Sequence, residues 1–100
     1  MNKLLVVDHF AILGSGKYDL EYKNDLILEI KEDVLINNFT YDASNLSVTL
    51  EDNSTLILNK VNILNNDLDI TINMKNNCKL LYNMVIINKG HNKVNININM

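Results

Sequence analysis

His9, Cys78 and His91 are the side chains in this sequence best suited to soft-metal ligation or, for Cys78, to nucleophilic attack. A structural zinc site needs about four His or Cys ligands converging on one point. A nucleophilic cysteine needs a base within reach and cationic surroundings. Lys75 and Lys79 flank Cys78 and supply only part of that requirement. One cysteine excludes an internal disulfide and any multi-cysteine zinc site. The run Gly14-Ser15-Gly16-Lys17 has the outline of a phosphate-binding loop. That motif requires a glycine five positions before Gly16, where Ala11 stands, and Ser or Thr where Tyr18 stands. The segment therefore reads as a bend whose glycines supply positive φ. The acids Glu29, Glu32, Asp33, Glu51 and Asp52 are expected in exposed five-residue turns, with no paired arrangement for acid–base work. No catalytic, metal-binding or cofactor-binding residue is assigned, and the expectation is a protein that is not an enzyme.

The elements that would position these groups are strands. Val94, Ile96, Ile98 and Met100 alternate with Asn95, Asn97 and Asn99, and Ile70, Ile72 and Met74 do the same around Thr71 and Asn73. Leu46, Val48 and Leu50 repeat the pattern, which marks strands with one buried face. The pairs Leu4/Val6, Leu26/Leu28, Val48/Leu50, Ile72/Met74 and Ile96/Ile98 recur at spacings of 22, 22, 24 and 24 residues. Five residues follow each of the first four pairs, at 7–11, 29–33, 51–55 and 75–79. A second apolar run then begins at Ile12, Val34, Leu56 and Leu80, and after a short bend a third pair follows: Tyr18/Leu20, Phe39/Tyr41, Val61/Ile63 and Val85/Ile87.

Three short strands per unit bury nothing alone, so the units must stack. The fold class expected is all-β, a right-handed parallel β-helix of about four coils of 22–24 residues, forming a single domain over residues 1–100. Leu13, Leu35, Ile57 and Leu81 are expected to form an interior ladder. The competing architecture is an antiparallel sandwich, which also uses short, regularly spaced strands. In the repeat alignment His9 matches Asn77, Cys78 is in phase with Ser54, and His91 falls in the turn after a third strand. These corners are too far apart for shared coordination, and Cys78 reads as a small structural residue. Lys93 to Met100 opens a fifth coil and stops before its second strand. A longer parent chain, or association through residues 93–100, is therefore expected.

Composition narrows the partners. Asparagine occurs 19 times, while arginine, glutamine, proline and tryptophan are absent. Asn, Lys and Ile have AT-rich codons, and turns add a demand for Asn, which tolerates the left-handed conformation. All twelve acids lie in residues 1–70, whereas residues 71–100 carry Lys75, Lys79, Lys89 and Lys93 and no acid. A net charge of −3 without arginine argues against nucleic acid as partner. Four apolar residues, Leu4 to Val7, are too few for a signal core or a membrane span, so a cytoplasmic location without membrane contact is expected. The sequons at Asn38, Asn45 and Asn53 are then incidental.

The segment from Leu46 to Met100 resembles the β-helical core of the SufB/SufD family of iron–sulfur cluster assembly scaffolds. The residues that carry the likeness run from Val48 to Leu58 and from Thr71 to Tyr82: strand, polar turn, small residue, apolar strand. The tail Val85 to Met100, with Gly90-His91-Asn92-Lys93 between strands, is similar to that family's Asn-rich stretch. The resemblance implies a non-catalytic scaffold acting through protein–protein contact, with a Suf-type ATPase among its partners. It implies an iron–sulfur cluster as the assembled product, with no cluster ligand in this chain. The alternatives are a self-assembling structural β-solenoid without cluster chemistry, and a small-molecule or carbohydrate module. Three glycines are few for the first, and the lack of tryptophan weakens the second.

Overall fold

A computed structural model describes residues 2–3, 9–64, 67–87 and 93–100. Among them are strands β1 (Asn2–Lys3), β2 (Phe10–Leu13), β3 (Gly16–Tyr22), β4 (Leu26–Ile30) and β5 (Asp33–Tyr41). The remaining strands are β6 (Asn45–Leu50), β7 (Thr55–Ile63), β8 (Asp67–Met74), β9 (Lys79–Ile87) and β10 (Lys93–Asn99). No helix among the described residues is long and apolar enough to cross a membrane.

The chain visits two parallel sheets alternately. Odd strands form one in the order β1-β3-β5-β7-β9, and even strands form the other in the order β10-β8-β6-β4-β2. Every pairing is parallel, so each strand lies beside its equivalent one coil away. The result is a β-solenoid of about three turns rather than the four coils expected. Each coil has two strands rather than three, because the expected second and third strands run together in β5, β7 and β9. Within β5 the inward set is Val34 and Ile36, then Phe39 and Tyr41, so alternation changes phase at Asn37-Asn38. That change of phase is the bend expected between the two runs.

The core between the sheets holds Leu13, Leu20, Leu26, Leu28, Ile30, Val34, Ile36, Leu56, Ile63 and Leu68, with Phe39 and Tyr41 packed edge-to-face at 5.5 Å. Leu35, Ile57 and Leu81 do stack in one column, but that column faces outward. Leu35 and Ile57 are half-buried and Leu81 is 53% exposed, while their neighbours Val34, Ile36 and Leu56 point inward. Leu13 does not belong to this column: it lies on β2 in the opposite sheet, beside Ile30.

The registers of β5 with β7, β6 with β8 and β7 with β9 are those of the sequence alignment. Those of β3 with β5, β4 with β6 and β8 with β10 differ from it by two residues. Leu28 pairs with Val48 and Ile30 with Leu50, where the spacing of apolar pairs had set Leu28 against Leu50. The connection from β4 to β5 accordingly has only Lys31 and Glu32, against the four residues Glu51–Ser54 between β6 and β7. Glu29 and Asp33 lie in strands rather than in a turn. In the first coil Leu20, not Tyr18, pairs with Phe39, with a register shift between Tyr18 and Asp19. The strand expected at Leu4 to Val6 lies outside the described residues. A two-residue slip keeps every side chain on its face, so a period-two pattern does not resist it.

Much of the asparagine follows from this stacking. Asn59 donates to the Asn37 side-chain oxygen at 2.9 Å and Asn83 to that of Asn59 at 2.8 Å, a three-rung ladder at the bend. Asn95 and Asn99 donate likewise to Asp69 and Asn73. Asn53 and Asn77 occupy left-handed turn positions with φ of 62° and 58°.

Candidate functional site

The turn that contains Cys78 is built like the turn below it. Ser54 is fully buried, and its hydroxyl donates to the Glu51 carbonyl at 2.7 Å, closing the turn. One coil on, Cys78 occupies the same corner, with its sulfur 3.8 Å from the Ser54 hydroxyl. The thiol lies 3.0 Å from the Glu51 carbonyl, 3.4 Å from that of Leu50 and 3.6 Å from that of Asn76. Three carbonyl oxygens around one sulfur are the reverse of the cationic setting that a reactive thiolate uses. Lys75 does not face the sulfur with a free charge, since its ammonium is 2.7 Å from the Glu51 carboxylate. That carboxylate, by hydrogen bond and charge, raises the lysine above its ordinary value.

His9 sits elsewhere. It shares positive φ (62°) with Asn53 and Asn77, but it precedes β2 and lies at the opposite corner of the coil. Its match with Asn77 is therefore corrected: a left-handed residue marks a turn without saying which corner the turn occupies. The His9 carbonyl accepts from the Ile27 amide at 2.9 Å, and Nδ1 is 2.8 Å from the Tyr22 hydroxyl. An open hollow beside it is bordered by Lys23, Asp25, Ile27, Asp42, Ala43 and Asn45. His91 lies outside the described residues. No group of three His, Cys, Asp or Glu suited to a metal ion occurs among the described residues.

Gly14 and Ser15 make the crossing between β2 and β3, as Lys31 and Glu32 do between β4 and β5, while Gly16 and Lys17 open β3 beside Val34 and Leu35. Ser15 donates its hydroxyl to the Glu32 carboxylate at 2.6 Å, so a negative charge stands where a phosphate would have to sit. Tyr18 donates back to the Gly14 carbonyl at 3.0 Å, and Gly16 takes a φ of +153°.

The largest departure from a closed fold is at the C-terminal coil. Along three inward columns burial ends abruptly: Val61 is 8% exposed and Val85 45%, Ile63 1% and Ile87 47%, Ile72 6% and Ile98 51%. Tyr82, Ile96 and their neighbours line an apolar cleft of about 430 Å³ that runs between the sheets as far as Phe39. Strands β9 and β10 are the last of their sheets among the described residues, so each has one edge without a strand partner. Sequence reasoning located β10 as such an edge through its unbroken alternation. It missed β9, because Leu80 to Ile87 reads as ordinary core.

Comparisons with protein-family models, with curated proteins and with solved structures find no match.

Proposed function

We propose that this chain is a non-catalytic β-helical scaffold that works by protein–protein contact, in the manner of a SufB/SufD subunit of iron–sulfur cluster assembly. The observation that carries the reading is the last coil: half-exposed apolar columns beside two strand edges, β9 and β10, that have no strand partner among the described residues. A strand edge of this kind can take further strands through its backbone amides and carbonyls. A scaffold role needs no reactive side chain, in keeping with the carbonyl-lined setting of Cys78. The SufB/SufD likeness of residues 46–100 supplies the cluster-assembly context and a Suf-type ATPase as partner. Co-expression with such an ATPase and capture through a tag on this chain should recover a complex in fixed stoichiometry. Failure to co-elute would remove the cluster-assembly reading. The alternative, a self-assembling solenoid without cluster chemistry, draws on the same free edges and requires the chain alone to grow with concentration.

A further inference from the structure

The outer face of the even-strand sheet carries a two-dimensional lattice of short polar groups. On β6, Ser47 and Thr49 point outward between the buried Leu46, Val48 and Leu50. Thr71 and Asn73 on β8, then Asn97 and Asn99 on β10, continue the same two columns. No register shift interrupts these pairings, whereas the odd sheet breaks step between Tyr18 and Asp19. All six lattice residues are uncharged, and lysine enters the even strands once among the described residues, as Lys93 at the start of β10. Lys17, Lys60 and Lys79 lie in odd strands, and Lys23, Lys31 and Lys75 at corners. Two acids border the lattice: Glu29 heads the column of Thr49, and Asp69 accepts from the Asn95 amide at 2.8 Å.

Neighbouring strands lie about 4.8 Å apart, and alternate residues on one face about 6.6 Å apart. In ice each oxygen is about 2.75 Å from its tetrahedral neighbours, hence about 4.5 Å from its second neighbours and about 7.3 Å from its repeat along the hexagonal axis. Across three strands and two columns the two nets therefore part by only about 0.6–0.7 Å in each direction. One column would match in a single direction, and two columns match in both.

We propose that this face binds the surface of ice, its hydroxyls and amides holding water in the positions of the crystal lattice. The inference goes beyond the scaffold reading and does not rest on it. A water lattice is neutral and presents donors and acceptors alike, so it is met best by groups that also do both. Serine and threonine hydroxyls and asparagine amides are such groups. A lysine ammonium only donates, and its flexible stem holds no fixed spacing. Ser47, Thr49, Thr71 and Asn73 are half-buried, so little side-chain freedom is lost when the face is covered. Asn99 is held in its column by donating to the Asn73 oxygen at 3.0 Å.

The test uses the full chain and single ice crystals on a cooled stage. The freezing point should fall below the melting point, and a fluorescently tagged chain should be taken up into growing ice. Thr71→Lys, in the middle of its column, should abolish both effects while leaving the circular dichroism unchanged. Asn97→Lys, at an exposed position of β10, should do the same and serves if Thr71→Lys fails to fold. Asn62→Lys, on the outer side of β7 in the other sheet, should leave both effects intact. A folded parent chain that neither separates the two temperatures nor enters ice would overturn the proposal. Equal losses in Asn62→Lys and Thr71→Lys would move the effect off this face and overturn it as well. Retention on microcrystalline cellulose without ice activity would make the occupant a polysaccharide, and the proposal would be wrong. Failure to capture a Suf-type ATPase would remove the cluster-assembly reading and leave ice binding standing.

Discussion

Ser54 and Cys78 share one corner of consecutive coils, and both reach the same acceptor: the Glu51 carbonyl lies 2.7 Å from the Ser54 hydroxyl and 3.0 Å from the Cys78 sulfur. The corner selects a small side chain with one donor, which Ser and Cys both satisfy. Cys78→Ser should therefore change stability by less than about 1 kcal/mol, as ordinary tolerated substitutions do. Denaturant unfolding of the two proteins checks this. Cys78→Leu should cost about 1–3 kcal/mol, because a bulkier apolar group overpacks the turn.

Leu56 and Ile57 are adjacent in β7 but face opposite ways. Leu56 is 1% exposed, while Ile57 stands half-buried on the outer surface. Leu56→Ala should cost about 2–5 kcal/mol, the sum of lost transfer energy and a cavity. Ile57→Ala should cost about 1 kcal/mol, since much of its side chain meets water in either state. Urea midpoints rank the two, and an equal or reversed order would show the inward column to be misassigned.

Asn59 is the middle rung of the ladder, accepting from Asn83 and donating to Asn37. Asn59→Ala should lower stability by about 1 kcal/mol, the net worth of hydrogen bonds lost at an exposed site. Asn24, exposed in a corner without a side-chain bond to another described residue, serves as the control. Its alanine variant should stay within about 0.5 kcal/mol of the parent.

Burial drives the Tyr41 hydroxyl well above the ordinary tyrosine range, and that hydroxyl donates to the Asn45 carbonyl. A group that holds its proton more tightly when folded contributes stability that is complete below the unfolded value, about 10 for tyrosine. The contribution is lost as pH rises toward the folded value, because the unfolded chain releases the proton first. Stability should thus decline above about pH 10. Tyr41→Phe should flatten that decline. In a spectrophotometric titration of the folded chain Tyr41 should ionise well above the ordinary tyrosine range.

The strands at Leu46–Leu50, Ile70–Met74 and Val94–Met100 were legible from alternation, and the stacking of Leu35, Ile57 and Leu81 from the repeat. Asn53 and Asn77 as turn residues followed from asparagine's ease in the left-handed region. Such features depend on a residue and its near neighbours, and chain order contains them. Three others depended on the second sheet. Which side of Val34-Leu35-Ile36 faces inward was one, because a continuous apolar run presents a usable surface both ways and only the opposing β4 and β6 close one of them. The pairing of Leu28 with Val48 rather than Leu50 was another, because a shift by two preserves every inward side chain and packing alone separates the choices. The corner taken by His9 was the third. Local backbone requirements made its turn possible, and the course of the first coil across both sheets placed it opposite the turn of Cys78.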